Sequence, residues 1–228
     1  MKLIQFINDA GAVGWVIVTV GVSALALTFE RIYTLYYKYG MNFDEFASKV
    51  QTMVSQRRHE EALVLCHELK DKPLAKAFKT ILEKSDQNED TIFQAHDIAL
   101  AETVPLVTRR LHHISMTANV ATLLGLLGTI HGLILSFAAV AQADASQKQA
   151  LLANGISVAM YTTALGLIVS IPLMIAYSFL VSRQNEIVGK IQEKTGKLTE
   201  QLTSFDTTSI SLSKPHTKTP PPNDKKVS

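Results

Sequence analysis

Three long runs without a formal charge govern what this chain can fold into: residues 10–29, 114–143 and 151–182, interrupted only by the titratable His131. Each meets or exceeds the roughly 20 apolar residues an α-helix needs to cross a ~30 Å hydrocarbon core. The bulk composition alone, 47% hydrophobic and 18% charged with a formal net charge of +2, would pass for that of a soluble protein. Distribution decides the class. No period-two alternation competes with the helical pattern, so the sequence predicts an all-α membrane protein with three transmembrane helices. The first run admits a second reading as a cleaved leader, since Lys2 precedes it and Ala24-Leu25-Ala26 offers small residues. Asp9 just before the run, its length and the apolar and aromatic residues beyond it weigh for a retained span.

Lys and Arg near the span ends set the expected orientation. Arg31, Lys38 and Lys49 follow span one, Arg109 and Arg110 precede span two, and Arg183, Lys190, Lys194 and Lys197 follow span three. Between spans two and three, Lys148 only offsets Asp144. The N-terminus is therefore expected outside, with the large middle segment and the C-terminus inside. The mild basic excess belongs to this topology and gives no reason to expect a nucleic-acid partner. Cys66 is the single cysteine, which excludes an intrachain disulfide.

The organisation expected from these signals is an outer interfacial arm at 1–9, a first span at 10–37 and a cytoplasmic helical segment at 38–113. A second span at 114–143, a periplasmic loop at 144–150, a third span at 151–182, a cytoplasmic helical extension at 183–203 and a disordered tail at 204–228 complete it. Tyr33, Tyr36, Tyr37 and Tyr39 form a plausible interfacial belt after Glu30-Arg31, which reads as a boundary pair fixing the depth of span one. Asn42 with Glu45 resembles a capping box, and Pro73 suits the first position of a further helix. A last cytoplasmic helix is expected from about Asp90 through Pro105 towards span two. These pieces are too short for a large core of their own and should pack as a collar on the inward extensions of spans two and three.

Spans two and three each carry a stripe of small and hydroxyl residues at helical steps of three or four. Span two has Thr122, Gly125, Thr129, Gly132 and Ser136; span three has Gly155, Ala159, Thr163, Gly166 and Ser170. Such faces let helices approach closely, and their hydroxyls can bond to carbonyls of their own helix. Two stripes joined by a short outer loop can also line a narrow path with hydroxyl groups. A hydroxyl does not hold a proton charge at neutral pH, so any titrating group on such a path must come from another chain. His131 stands about 200° around the helix from Thr129 at ~100° per residue, which favours a neutral, hydrogen-bonded interface histidine over a relay. Signatures of enzymes, cofactor sites and metal sites are absent from the sequence: no phosphate-binding glycine loop, no HExxH, no paired cysteines and no nucleophile elbow.

The segment Leu124-Gly125-Leu126-Leu127-Gly128-Thr129-Ile130-His131-Gly132 resembles the GLLGTxxG motif of the MotA/TolQ/ExbB family. Gly155 through Thr162-Thr163 to Leu167, with Pro172 beyond, is similar to that family's third-span motif. Glu30-Arg31 resembles the ER at the end of its first span, and Ala62 through Cys66 to Pro73-Leu74-Ala75 resembles its AxxxC…PLA stretch. The likeness covers most of residues 10–195, and three spans point to the ExbB/TolQ branch rather than the four-span flagellar stators.

The resemblance implies a subunit of an ion-driven motor in the bacterial inner membrane. A homo-oligomeric ring, typically a pentamer, would surround ExbD/TolR-like single-span partners whose intramembrane aspartate carries the proton. A TonB- or TolA-like transducer would receive the force. On this reading Thr129, Thr163, Thr162, Thr122, Ser136 and Ser170 face the ion path or partner, while Gly125, Gly128, Gly132, Gly155, Ala159 and Gly166 serve packing. The chain departs from the family pattern at Val158, Asn154 and His131, and its Val158-Ala159…Thr162-Thr163 wording is closer to the flagellar stator version. Sodium coupling, a flagellar-type stator and a non-conducting scaffold stay open as alternatives.

Overall fold

In the computed structural model the described part of the chain, residues 2–213 with side chains from 4 to 204, consists of helices joined by short turns and contains no strand. Its helices are α1 (Lys2–Asp9), α2 (Gly11–Ile32), α3 (Phe43–Ser55), α4 (His59–Glu68), α5 (Pro73–Leu82), α6 (Glu89–Thr108), α7 (Leu111–Gln142) and α8 (Lys148–Ser213). A π-helical turn, Tyr33–Lys38, extends α2. Three helical stretches, Gly11–Lys38, Glu89–Gln142 and Lys148–Ser204, hold segments long and apolar enough to cross a membrane.

The chain divides into two compact bodies. The first takes residues up to Met41, Asp71–Pro73 and Val104–Lys190. Within it α2 packs on α7 and, where Gly14 and Gly21 lie against Leu165 and Val169, on α8; its buried face is Gly14, Ile17, Gly21, Ala24, Thr28 and Arg31, alternating steps of three and four. Leu35 continues the series one step further. Ile7, Ala10, Ile17 and Leu165 form a small core where α1, α2 and α8 meet, with Phe6 set edge-on against Tyr161 at 5.0 Å. Most other large side chains of the spans lie on the outside: Phe29, Leu123, Ile134, Ile168 and Phe179 are each at least 60% exposed. In water such a surface would be costly; against lipid it is the expected one.

The second body takes Asn42–Lys70, Leu74–Thr103 and the chain from Ile191 onward. Its core is apolar and dense, with Phe46 stacked on Phe78 at 5.7 Å beside buried Val50, Leu74, Ile81, Ile92, Ile191 and Leu198. Lys194 pairs with Asp44 at 2.5 Å, and Gln201 donates to the Gln51 carbonyl at 3.0 Å. The middle segment thus packs on the continuation of α8 beyond Ile191. Asn42 caps α3, accepting from the Glu45 amide at 3.4 Å while its own amide donates to the Glu45 carboxylate at 3.0 Å.

The α3 C-terminus is a Schellman motif: Arg58 N–H donates to Met53 O and Arg57 N–H to Val54 O, both at 2.9 Å. Arg57 occupies the left-handed position at φ 59°, where a Cβ is unfavourable. Arg57→Gly is expected to raise stability by about 1 kcal/mol, read as a higher thermal midpoint of the folded protein.

Cys66 is fully buried on α4, and burial pushes its thiol up to about 12. At pH 8 it carries on the order of a thousand times less thiolate than an exposed cysteine. Iodoacetamide should therefore label the folded protein negligibly and the denatured protein fully.

Three boundaries differ from expectation. Span one ends in the π-helical turn, where Tyr39 N–H reaches back to Thr34 O at 2.8 Å. The approach to span two is broken, because Arg110 sits in the left-handed region at φ 66° between α6 and α7. The third long helix starts earlier, at Lys148, and runs past 203 to Ser213, since residues 204–213 contain no glycine or proline to stop it. The remainder of the tail expected to lack structure, 214–228, lies outside the described residues, as does Met1 of the outer arm.

Candidate functional site

The two stripes do face each other, within one chain. A Cβ built on Gly125 would sit 3.2 Å from Thr162 O and 3.3 Å from the Cα atoms of Thr163 and Gly166. One on Gly128 would sit 2.6 Å from Thr162 Cβ, and one on Gly132 3.4 Å from Ala159 Cβ. Ser136 occupies the space that a side chain at Gly155 would need. Gly166 is the tightest point against backbone, its Cβ position lying 2.8 Å from Ala121 O and 3.0 Å from Gly125 Cα. Gly125, Gly128, Gly132, Gly155, Ala159 and Gly166, expected to serve packing, all lie at the α7–α8 contact.

This contact sorts the hydroxyls. Thr162 is 1% exposed, covers Gly128 and donates to Ala159 O at 2.8 Å. Ser136 is buried and donates to Gly132 O at 2.7 Å. Both are turned into the helix contact, with their protons satisfied by their own helix, and neither lines the open groove beside it. Ser170 is likewise buried, and Thr122 is exposed with its hydroxyl directed to Ala118 O at 3.3 Å.

Thr129 and Thr163 lie one residue further round their helices than Gly128 and Thr162. That rotation of ~100° carries Thr129 out of the contact and Thr163 to its edge, both on one flank. There they line a single open groove of about 470 Å³, walled by Leu133, Ile156, Met160 and Leu167. Thr129 donates to Leu126 O at 2.6 Å. Thr163 makes only long bonds, to Gly125 O on the facing helix at 3.4 Å and to Ala159 O at 3.5 Å. Its hydroxyl is loosely held and keeps capacity for a further partner.

No lining residue of this groove titrates near neutral pH. It can offer hydroxyl donors and acceptors in an apolar setting and cannot itself take up a proton. The stripes of small and hydroxyl residues do not include the apolar lining, although Ile156, Met160 and Leu167 stand at seven, three and four residues from Thr163 and so share its face. His131, expected to be a hydrogen-bonded interface histidine, is exposed and makes no hydrogen bond among the described residues; it lies outside the groove. Glu30 and Arg31, expected to mark the depth of span one, have separate surroundings: Glu30 pairs with Arg110 at 2.6 and 2.8 Å, and Arg31 is buried. Among the described residues no group of His, Cys, Asp and Glu could hold a metal ion.

Residues 67–193 match the family described as the MotA/TolQ/ExbB proton channel family. Biopolymer transport protein ExbB of Aquifex aeolicus is 39% identical over 80 residues, covering 35% of this chain and 53% of that protein. Tol-Pal system protein TolQ of Haemophilus influenzae is 29% identical over 112 residues, covering 49% of this chain and 47% of that protein. The matched stretches thus span about half the length of these relatives. Among solved structures, that of C. jejuni MotAB superposes with a TM-score of 0.58 at 16% identity, over 92% of this chain and 87% of that one, a likeness of fold. The family is one of channel and transport-motor subunits. Since its match runs over more than half of the sequence, from the second body through both halves of the groove, this chain belongs to the MotA/TolQ/ExbB proton channel family.

Proposed function

We propose that this chain is the ring-forming subunit of an ExbB/TolQ-like ion-driven motor in the bacterial inner membrane. Several copies, five on the family pattern, enclose one or more ExbD/TolR-like single-span partners, and proton flow along that interface exerts force on an envelope or outer-membrane client. The N-terminus is periplasmic and the C-terminus cytoplasmic, as the Lys and Arg distribution favours. A TonB- or TolA-like protein transmits the force.

The observation that carries this reading is the pairing of Thr129 and Thr163 in one apolar groove without an acid or base. A charged carboxylate inside the membrane is costly unless hydrogen-bonded or neutralised. In the proposed cycle a partner aspartate enters this groove, where the two hydroxyls hydrogen-bond its ionised form. It takes up a proton on one side, crosses the apolar wall as the neutral acid and releases the proton on the other. The ring supplies hydroxyls and the neighbour supplies the acid.

Co-expression with a single-span protein bearing an intramembrane Asp, followed by mass measurement of the intact detergent-solubilised assembly, tests the arrangement. A stable complex of several copies with the partner is expected. A monomer that retains no second polypeptide contradicts it. The flagellar-type stator, including a sodium-driven one, is the second reading, favoured by the Val158-Ala159…Thr162-Thr163 wording; a peptidoglycan-binding domain on the co-purified partner would select it.

A further inference from the structure

At the end of the spans opposite the α7–α8 loop, one basic pocket of about 210 Å³ is lined by Glu30, Arg31, Lys38, Tyr39, Arg109 and Arg110, among others. Four cations meet one carboxylate there. Glu30 is engaged by Arg110 Nη1 at 2.6 and 2.8 Å. Arg31, Lys38 and Arg109 form no ion pair among the described residues.

Arg31 is the unusual member. It ends the buried face of α2 in register with Gly14, Ile17, Gly21, Ala24 and Thr28, so the helix period turns it inward. It is 3% exposed, and its Nε and Nη2 are buried without a hydrogen-bond partner. A buried guanidinium with two unmet donors is expensive, and the natural complement of its planar fork is a phosphate or carboxylate oxygen pair.

We propose that this pocket binds the phosphodiester headgroup of an anionic phospholipid, with the Arg31 guanidinium as the central cation of the lining and Arg109 and Lys38 completing the charge. Location selects lipid as the source of the anion. The pocket begins where the apolar run of α2 ends, beside exposed Phe29, Tyr33, Tyr36 and Tyr37, the aromatic side chains that settle at headgroup level. Basic pockets between spanning helices are suited to such headgroups. The site is separate from the Thr129–Thr163 groove and does not depend on the ion-coupling reading.

The test uses the full-length chain in neutral detergent micelles doped with phosphatidylglycerol, phosphatidylcholine or, separately, inorganic phosphate at equal phosphorus. Phosphatidylglycerol is expected to raise the thermal midpoint and to be retained through gel filtration, and the other two are not. Arg109→Gln, at a residue outside the packed helix face, should weaken retention on the order of tenfold, as loss of one charge-assisted contact does. Arg31→Gln should abolish it, and circular dichroism identifies any failure to fold. Glu30→Gln releases Arg110 and should retain phosphatidylglycerol at or above the wild-type level. Equal stabilisation by phosphatidylcholine, or by inorganic phosphate alone, would overturn the lipid assignment. Wild-type retention by Arg109→Gln, or a fall in Glu30→Gln, would overturn the anion site.

Discussion

Thr163→Val in the assembled complex is expected to lower proton flux by about 10- to 100-fold while leaving the fold intact. Valine keeps the shape of threonine and removes the hydroxyl. Little stability is at stake, because both bonds that Thr163 makes are long, at 3.4 and 3.5 Å. What is lost is a hydrogen bond to the partner's ionised carboxylate, about 1.5–3 kcal/mol, which converts to that rate factor if the charged state precedes the slow step. Thr129→Val should act in the same direction. Thr162→Val supplies the contrast. Its hydroxyl is spent on Ala159 O inside the helix contact, so flux should stay near wild type. A dye-based flux assay on vesicles holding both subunits measures all three. Equal loss at positions 162 and 163 would mean that the whole stripe matters only through packing.

Gly166→Val is expected to have the largest structural effect. The added Cβ would meet Ala121 O at 2.8 Å and Gly125 Cα at 3.0 Å, and both are backbone atoms that no rotamer change can move aside. The helices must separate, and α7 and α8 would then lose the close contact running from Ala121 to Ser136. Overpacking of this kind costs about 3 kcal/mol or more, and the lost approach of small residues adds to it in a membrane. Unfolding of the purified chain by a titrated denaturing detergent should show a much earlier midpoint. Gly189→Ala in the same helix meets nothing within 4 Å and should be neutral or stabilising by about 0.5–1 kcal/mol.

The charge-free runs made the three spans legible, because spanning imposes length and apolarity on every residue in the run. Asn42 with Glu45 and Pro73 located helix starts, since capping depends on neighbours in sequence. The division of the hydroxyls was not legible. A helical period places residues on a broad face, and Gly128 and Thr129, or Thr162 and Thr163, are adjacent; which one meets the opposing helix depends on where that helix sits. Arg31 was obscure for a related reason. Its neighbour Glu30 is drawn to Arg110, 80 residues away, a pairing that only the packing of α2 against α7 creates.

The division of labour between a hydroxyl-lined wall and a borrowed acid is tested most directly by reconstituting the purified chain into proteoliposomes, alone and with its single-span partner, under an imposed pH gradient. The account predicts no flux above empty vesicles for the chain alone, flux with the partner present, and loss of that flux when the partner's intramembrane Asp is changed to Asn. Proton flux carried by the chain without any second polypeptide would contradict it.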